Sequence, residues 1–205
     1  MMTTQLVLIR HGITEWNKKN RYCGYKDVSL SDEGKAQAKR LASGLKSFEF
    51  HRIYSSDRKR ALQTGRIIFN GAKIIKVEAL REINFGCLEG LTHEEIMKKH
   101  ADVYKKWLKD PFKNRIPGAE PMAVFKKRVQ LAIRKIAGIN RGKTVAITCH
   151  GGVIGILVSG ILKSKNFWRY VPSSASMTIV EYKKGAPVIK LFNNHPHLGG
   201  ARKNG

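Results

Sequence analysis

The chain has 205 residues and carries 39 Lys+Arg against 15 Asp+Glu, a formal charge of +24. With 42% apolar and 26% charged residues, the composition excludes whole-chain disorder and a fibrous protein, and the length suits one α/β domain, or at most two small ones, burying roughly 70% of its unfolded surface. Cys23, Cys87 and Cys149 are widely spaced with no Cys-x-x-Cys pair, which argues against a disulfide framework or a cysteine zinc site and for a reducing compartment.

The N-terminus runs into an apolar stretch, Leu6 to Ile9, without the basic start and long apolar core of a signal peptide. A first strand is expected over Gln5–Ile9. Ser31–Leu45 follows as a helix, with Ser31 as its start signal and Ala38, Leu41, Ala42 and Leu45 on one face. Arg52–Tyr54 is a short strand, Asp57–Ile68 a helix and Lys73–Val77 a strand. Glu94–Leu108 reads as one or two short helices, and Pro121–Ile136 as a longer one with Met122, Phe125, Val129, Ala132 and Ile136 at helical spacing. Thr144–Thr148 is the next strand. Gly151–Leu162 is uncharged but only twelve residues long, a buried helix short of the ~20 residues that span a bilayer. Ser176–Tyr182 and Val188–Phe192 flank Lys184-Gly185 as a hairpin that ends the sheet.

Apolar, β-branched runs alternating with helical periods predict an α/β fold: a three-layer sandwich with a mostly parallel six-stranded sheet and helices on both faces. Residues 1–198 are read as one domain with a helical capping insert around 88–138, and 199–205 as a frayed, disordered tail. The protein is expected in the cytoplasm, with no membrane partner.

In such a sheet, ligands bind beyond the carboxyl ends of the strands. Arg10-His11-Gly12 sits at the end of the first strand. His150, followed by Gly151-Gly152 at a helix start, sits at the end of the fourth, and Arg52–Tyr54 leads into Ser55-Ser56-Asp57-Arg58-Lys59-Arg60. Two histidines and several arginines thus meet at one edge. Arginine forks, imidazoles and helix N–H groups suit a phosphate dianion. A neutral imidazole can attack phosphorus, and a carboxyl group is then needed to protonate the leaving oxygen. Spacing alone does not say which histidine attacks, nor whether Glu82 or Glu89 is the acid.

Leu8 to Asn17 (LIRHGITEWN), Gly24-x-x-Asp27-x-x-Leu30-Ser31-x-x-Gly34, Ser55-Ser56-Asp57-x-x-Arg60-Ala61-x-Gln63-Thr64, Leu80-Arg81-Glu82-x-x-Phe85-Gly86-x-x-Glu89-Gly90 and His150-Gly151-Gly152 follow one another in this order. Together they resemble the histidine phosphatase superfamily, which includes phosphoglycerate mutases and α-ribazole phosphatase-like enzymes. The resemblance implies a phosphoglycerate mutase-like fold, with His11 as a nucleophile that becomes phosphohistidine. It further implies Arg10, Arg60 and His150 around the transferring phosphoryl group, Asn17 as another donor, and Glu82 as general acid and then base. Gly151 lets backbone approach the phosphate. Arg58 stands where relatives carry an apolar residue, as an extra cation at the rim or a solvated helix side chain. Pro117-Gly118-Ala119-Glu120-Pro121 departs from the Pro-Gly-Gly-Glu-Ser-like stretch of many relatives. No metal and no cofactor are implied, and a homodimer is common among such enzymes.

The expected activity is phosphomonoester hydrolysis on a small phosphorylated metabolite. A phosphoglycerate mutase is the alternative, weakened by the short insert and by Leu108-Lys109 after Trp107, where a mutase-like pair of arginines would stand. A polyanion-binding protein using the basic surface is the remote one: the basic residues are spread widely, without a nucleic-acid-recognition motif. Gly138 to Thr144 imitates a Walker loop but has one residue too few between its glycines and leads into a strand. His93-Glu94 and the pair His195 and His197 lack a recognised zinc spacing.

Overall fold

The computed structural model describes residues 2–196; His197 and the tail expected at 199–205 lie outside them. Thr4–Arg10 (β1), Arg52–Ser55 (β2), Ile74–Lys76 (β3), Thr144–Cys149 (β4), Met177–Lys183 (β5) and Ala186–Asn194 (β6) form one sheet in the order β3-β2-β4-β1-β5-β6. The pairs β1–β4, β2–β4 and β2–β3 are parallel, while β5 runs antiparallel to both β1 and β6. The mostly parallel sheet with a terminal hairpin is thus present.

Helices cover both faces, which is why β1 reads as a continuous apolar run and not an alternating one. Leu6, Val7, Leu8 and Ile9 are all fully buried. Leu6 and Leu8 join the larger core with Phe125, Val129 and Ile133 of Met122–Ile139 (α6) and with Val153 and Leu157 of Gly151–Ile161 (α7). Val7 and Ile9 join the other, with Leu41 of Asp32–Gly44 (α2), a helix that packs on Lys59–Ile68 (α3). Ser31 caps α2 as expected, its Oγ accepting from the Gly34 N–H at 3.1 Å.

Several element boundaries differ from the expected ones. A short helix, Glu15–Lys18 (α1), closes on a capping box between Thr14 and Asn17; four residues are too few to show a hydrophobic period. The segment read as one or two short helices over Glu94–Leu108 holds two, His93–Lys99 (α4) and Ala101–Lys109 (α5), which meet at His100. The helix after β2 starts at Lys59, because Arg58 is still extended, with φ −69° and ψ 137°. Among the described residues, no helix is long and apolar enough to cross a membrane.

Candidate active site

Strand register assembles the site. Arg10 pairs with Cys149 across β1 and β4, and Ser55 with Thr148 across β2 and β4, so the next residue of each strand, His11, His150 and Ser56, emerges at the same sheet edge. The two imidazoles meet edge-on with centroids 5.2 Å apart. His11 Nδ1 lies 2.8 Å from the carbonyl oxygen of Gly12. A carbonyl can only accept, so Nδ1 carries the proton, and Nε2 of the neutral ring keeps its lone pair. His150 is fully buried, with Nε2 2.9 Å from Ser56 Oγ.

Glu82 reaches the same place from a different segment. Its Oε2 accepts from the Gly152 N–H at 2.8 Å and its Oε1 from the Ile83 N–H at 3.0 Å. The approach needs glycine: a Cβ on Gly152 would stand 2.3 Å from Glu82 Oε1. Gly152→Ala should therefore displace the carboxylate and lower kcat/KM by at least about tenfold with the fold kept, as read by turnover of p-nitrophenyl phosphate beside a circular dichroism melt.

Arg10, His11, Asn17, Glu82 and Gly151 line one cavity of about 410 Å³, with Tyr22, Phe85 and Trp168 also in its wall, a volume in the range of small-ligand sites. Asn17 Oδ1 accepts from the Thr14 N–H at 3.1 Å, so its Nδ2 is the end left to donate. Arg10 donates through Nη1 to the carbonyl of Pro172. Buried nitrogens are nearly always hydrogen-bonded, yet Arg10 Nε, Arg60 Nε and His150 Nδ1 are buried without a partner. Guanidinium groups converging beside an imidazole suit the equatorial oxygens of a phosphoryl group.

Three predicted residues do not line the cavity: His150, which stands edge-on to His11 with its Nε2 at Ser56, Arg60 and Arg58. Arg60 is fully buried but does not line the cavity; it donates to the carbonyls of Lys26 at 3.0 Å, Cys23 at 3.3 Å and Gly24 at 2.8 Å. It anchors the loop that carries Cys23 into the cavity wall and adds its charge beside His11. Arg58 is not part of the wall either: its guanidinium stacks on the Tyr25 ring, 4.9 Å from the centroid.

Burial pushes His11 well below the ordinary histidine value, and the Arg60 and Arg10 charges push it further, against the Gly12 hydrogen bond. His150 is lowered likewise, by burial first and then by Arg60. Both rings are therefore neutral at neutral pH. The sign for stability follows: a folded pKa below the unfolded value of about 6.5 means that the unfolded chain binds more protons as pH falls through that value, so stability is present above it and lost below it. Urea unfolding should give a lower midpoint at about pH 5.5 than at about pH 7.5, with a smaller difference in His11→Asn.

Some supporting groups escaped sequence reasoning. Arg128 of α6 donates through Nη1 to the carbonyls of Ala79 at 2.9 Å and Arg81 at 2.7 Å, through Nη2 to that of Glu82 at 3.0 Å, and pairs through Nε with Glu120 Oε1 at 2.6 Å. It ties the backbone at Glu82 to the departing Pro117–Pro121 stretch. One signal existed: Arg128 stands between Phe125 and Val129 at the edge of an otherwise apolar stripe. Glu89 accepts from the N–H groups of Tyr25 at 2.6 Å, Lys26 at 2.8 Å and Phe85 at 3.2 Å, which makes it a clamp between two loops. Among the described residues, no three His, Cys, Asp or Glu side chains gather so as to hold a metal ion.

Known proteins share both sequence and fold with this chain. The profile of the histidine phosphatase superfamily (branch 1) matches residues 6–195. Phosphoserine phosphatase 1 of Hydrogenobacter thermophilus is 31% identical over 199 residues, 95% of this chain and 94% of its own. Adenosylcobalamin/alpha-ribazole phosphatase of Salmonella typhimurium is 27% identical over 195 residues, 93% and 96% of the two chains. The crystal structure of phosphoserine phosphatase from Entamoeba histolytica, in complex with 3-phosphoglyceric acid, aligns with a TM-score of 0.86 at 31% identity, over 95% of this chain and 99% of that one.

Proposed function

The chain belongs to the histidine phosphatase superfamily, and we propose that it hydrolyses phosphomonoesters of small metabolites through a phosphohistidine on His11. His11 Nε2 attacks phosphorus in line with the ester oxygen. As the N–P bond forms and the P–O bond breaks, protonated Glu82 gives its proton to the leaving oxygen. Arg10 and the Asn17 amide bind the equatorial oxygens, Arg60 contributes its buried charge, and His150, packed edge-on against His11, orients the nucleophile. Glu82, now ionised, takes a proton from water, whose oxygen attacks phosphorus. The N–P bond breaks, and inorganic phosphate leaves with the neutral imidazole restored.

The observation that carries this reading is the pairing, in one cavity, of an imidazole whose Nδ1 is spent on the Gly12 carbonyl with a carboxylate held by the Gly152 N–H. Residues around 88–138 serve as a capping insert that reads the leaving group, a role supported by the packing of Trp107 on the cavity residue Trp168, centroids 5.1 Å apart. Mutase chemistry has less support: Arg21, the other cation of the cavity wall beside Arg10, is engaged by Glu95, with Nη1 to Oε2 at 2.8 Å and Nη2 to Oε1 at 3.2 Å, and by the Gly90 carbonyl. Free thiols at Cys23, Cys87 and Cys149 fit a cytoplasmic enzyme. The test is release of inorganic phosphate from p-nitrophenyl phosphate and a metabolite panel headed by phosphoserine, with EDTA present throughout. Turnover of the aryl ester and of part of the panel is expected; none on any compound by folded protein refutes the proposal, and primer-dependent interconversion of phosphoglycerates without net hydrolysis replaces it with the mutase.

A further inference from the structure

Residues at the far end of α7 form one wall of a groove of about 630 Å³. Lys163 and Lys165 follow that helix, Lys109 ends α5 and Lys126 stands on α6, and all four line the groove together with Phe112 and Phe167. Among the described residues, none of these four lysines has a carboxylate within 4.0 Å. Asp110, the acid in the lining, is engaged locally: its Oδ1 accepts from the N–H groups of Phe112 at 3.1 Å and Lys113 at 3.2 Å, and its Oδ2 lies 3.9 Å from Lys113 Nζ.

Four ammonium groups around one concavity repel one another and focus a field that favours an anion. The C-terminal dipoles of α7 and α5 favour cations at their ends, which accounts for Lys163 and Lys109 but not for Lys126, which stands near the N-terminal end of α6. Lys163 also adopts φ +54°, a left-handed conformation more usual for glycine or asparagine after a helix.

The groove touches the catalytic cavity at one side chain. Phe167 is 3% exposed and lines both, and its ring lies 4.1 Å, centroid to centroid, from that of Trp168 in the cavity wall. Helix α7 carries His150 and Gly151 at one end and the groove at the other, about 16 Å away. We propose that this groove is a second anion site, for a small ligand bearing two or more phosphate groups, and that its occupancy acts on the catalytic cavity through Phe167. The volume suits such a ligand, and lysines arriving from two helices and the loop after α7 suit separated phosphates better than a single one.

Inorganic tripolyphosphate is the probe, titrated calorimetrically into the wild-type chain and into Lys163→Glu/Lys165→Glu. Two binding events are expected in the wild type, one displaced by orthovanadate from the catalytic cavity and one not. The double variant should lose at least about tenfold in affinity at the second event while its kcat/KM on p-nitrophenyl phosphate without probe stays within about twofold. Lys109→Glu, from the other wall, should repeat that loss. A single event in the wild type, or a second event undiminished in both variants, overturns the site. Coupling is read from kinetics: the probe should change kcat in the wild type and not in the double variant, and purely competitive inhibition in both overturns the link through Phe167.

Discussion

Replacing His11 by alanine should lower kcat/KM on p-nitrophenyl phosphate by about four orders of magnitude or more and leave the fold in place. The loss is large because no neighbour can substitute. His150 is as buried and as neutral, but its Nε2 is engaged by Ser56, and it does not line the cavity that holds Glu82. The cost to the fold is small because the His11 side chain gives up one hydrogen bond, to the carbonyl of Gly12, and faces a cavity already present, so its removal opens no new void in the core. Two measurements separate chemistry from folding. A thermal melt should remain cooperative, and mass spectrometry of rapidly quenched wild-type enzyme should show a chain one phosphoryl group heavier that is missing from the variant. A folded His11→Ala protein that still turns over at a tenth of the wild-type rate or more would remove the nucleophile assignment.

Glu82→Gln should cost roughly two to four orders of magnitude, and its leaving-group dependence is more informative than its size. Glutamine keeps the shape and one acceptor for the Gly152 N–H, but has no proton to transfer. An alkoxide leaving group needs that proton far more than p-nitrophenolate does, so kcat/KM should fall more on phosphoserine than on the aryl ester. The second step loses its base with either substrate. The variant should then release p-nitrophenol in a burst followed by slow turnover as the phosphoenzyme accumulates. Equal losses on both substrates without a burst would show that Glu82 only holds the Gly152 backbone.

The placement of the chemistry was legible because it rests on local pattern. The apolar run Leu6–Ile9 and the run Thr144–Thr148 mark strands, and the residues two positions beyond them, His11 and His150, stand where a parallel sheet presents reactive groups. The start of α2 was equally readable, since Ser31 caps it within three residues of sequence. What could not be read was the division of labour among like residues. Glu82 and Glu89 lie in one motif, yet Glu82 faces the Gly152 N–H in the cavity while Glu89 is taken up by Tyr25, Lys26 and Phe85. His11 differs from His150 as a candidate nucleophile through the Gly12 carbonyl and the Ser56 hydroxyl.

The arginines carry the same lesson. Composition presents Arg10, Arg58, Arg60 and Arg128 as equivalent members of a +24 excess. In the fold, Arg10 lines the cavity, Arg60 is spent mostly on a loop, Arg58 stacks on Tyr25 and Arg128 braces Glu82. Sequence by itself determined the α/β class, the order of the elements and the edge at which the chemistry lies, because hydrophobic period and caps are properties of neighbouring residues. Only the tertiary structure decided which cation lines the cavity and which carboxylate faces it. Those roles depend on partners such as Gly152 and Glu82, seventy positions apart, that packing alone brings within hydrogen-bond reach.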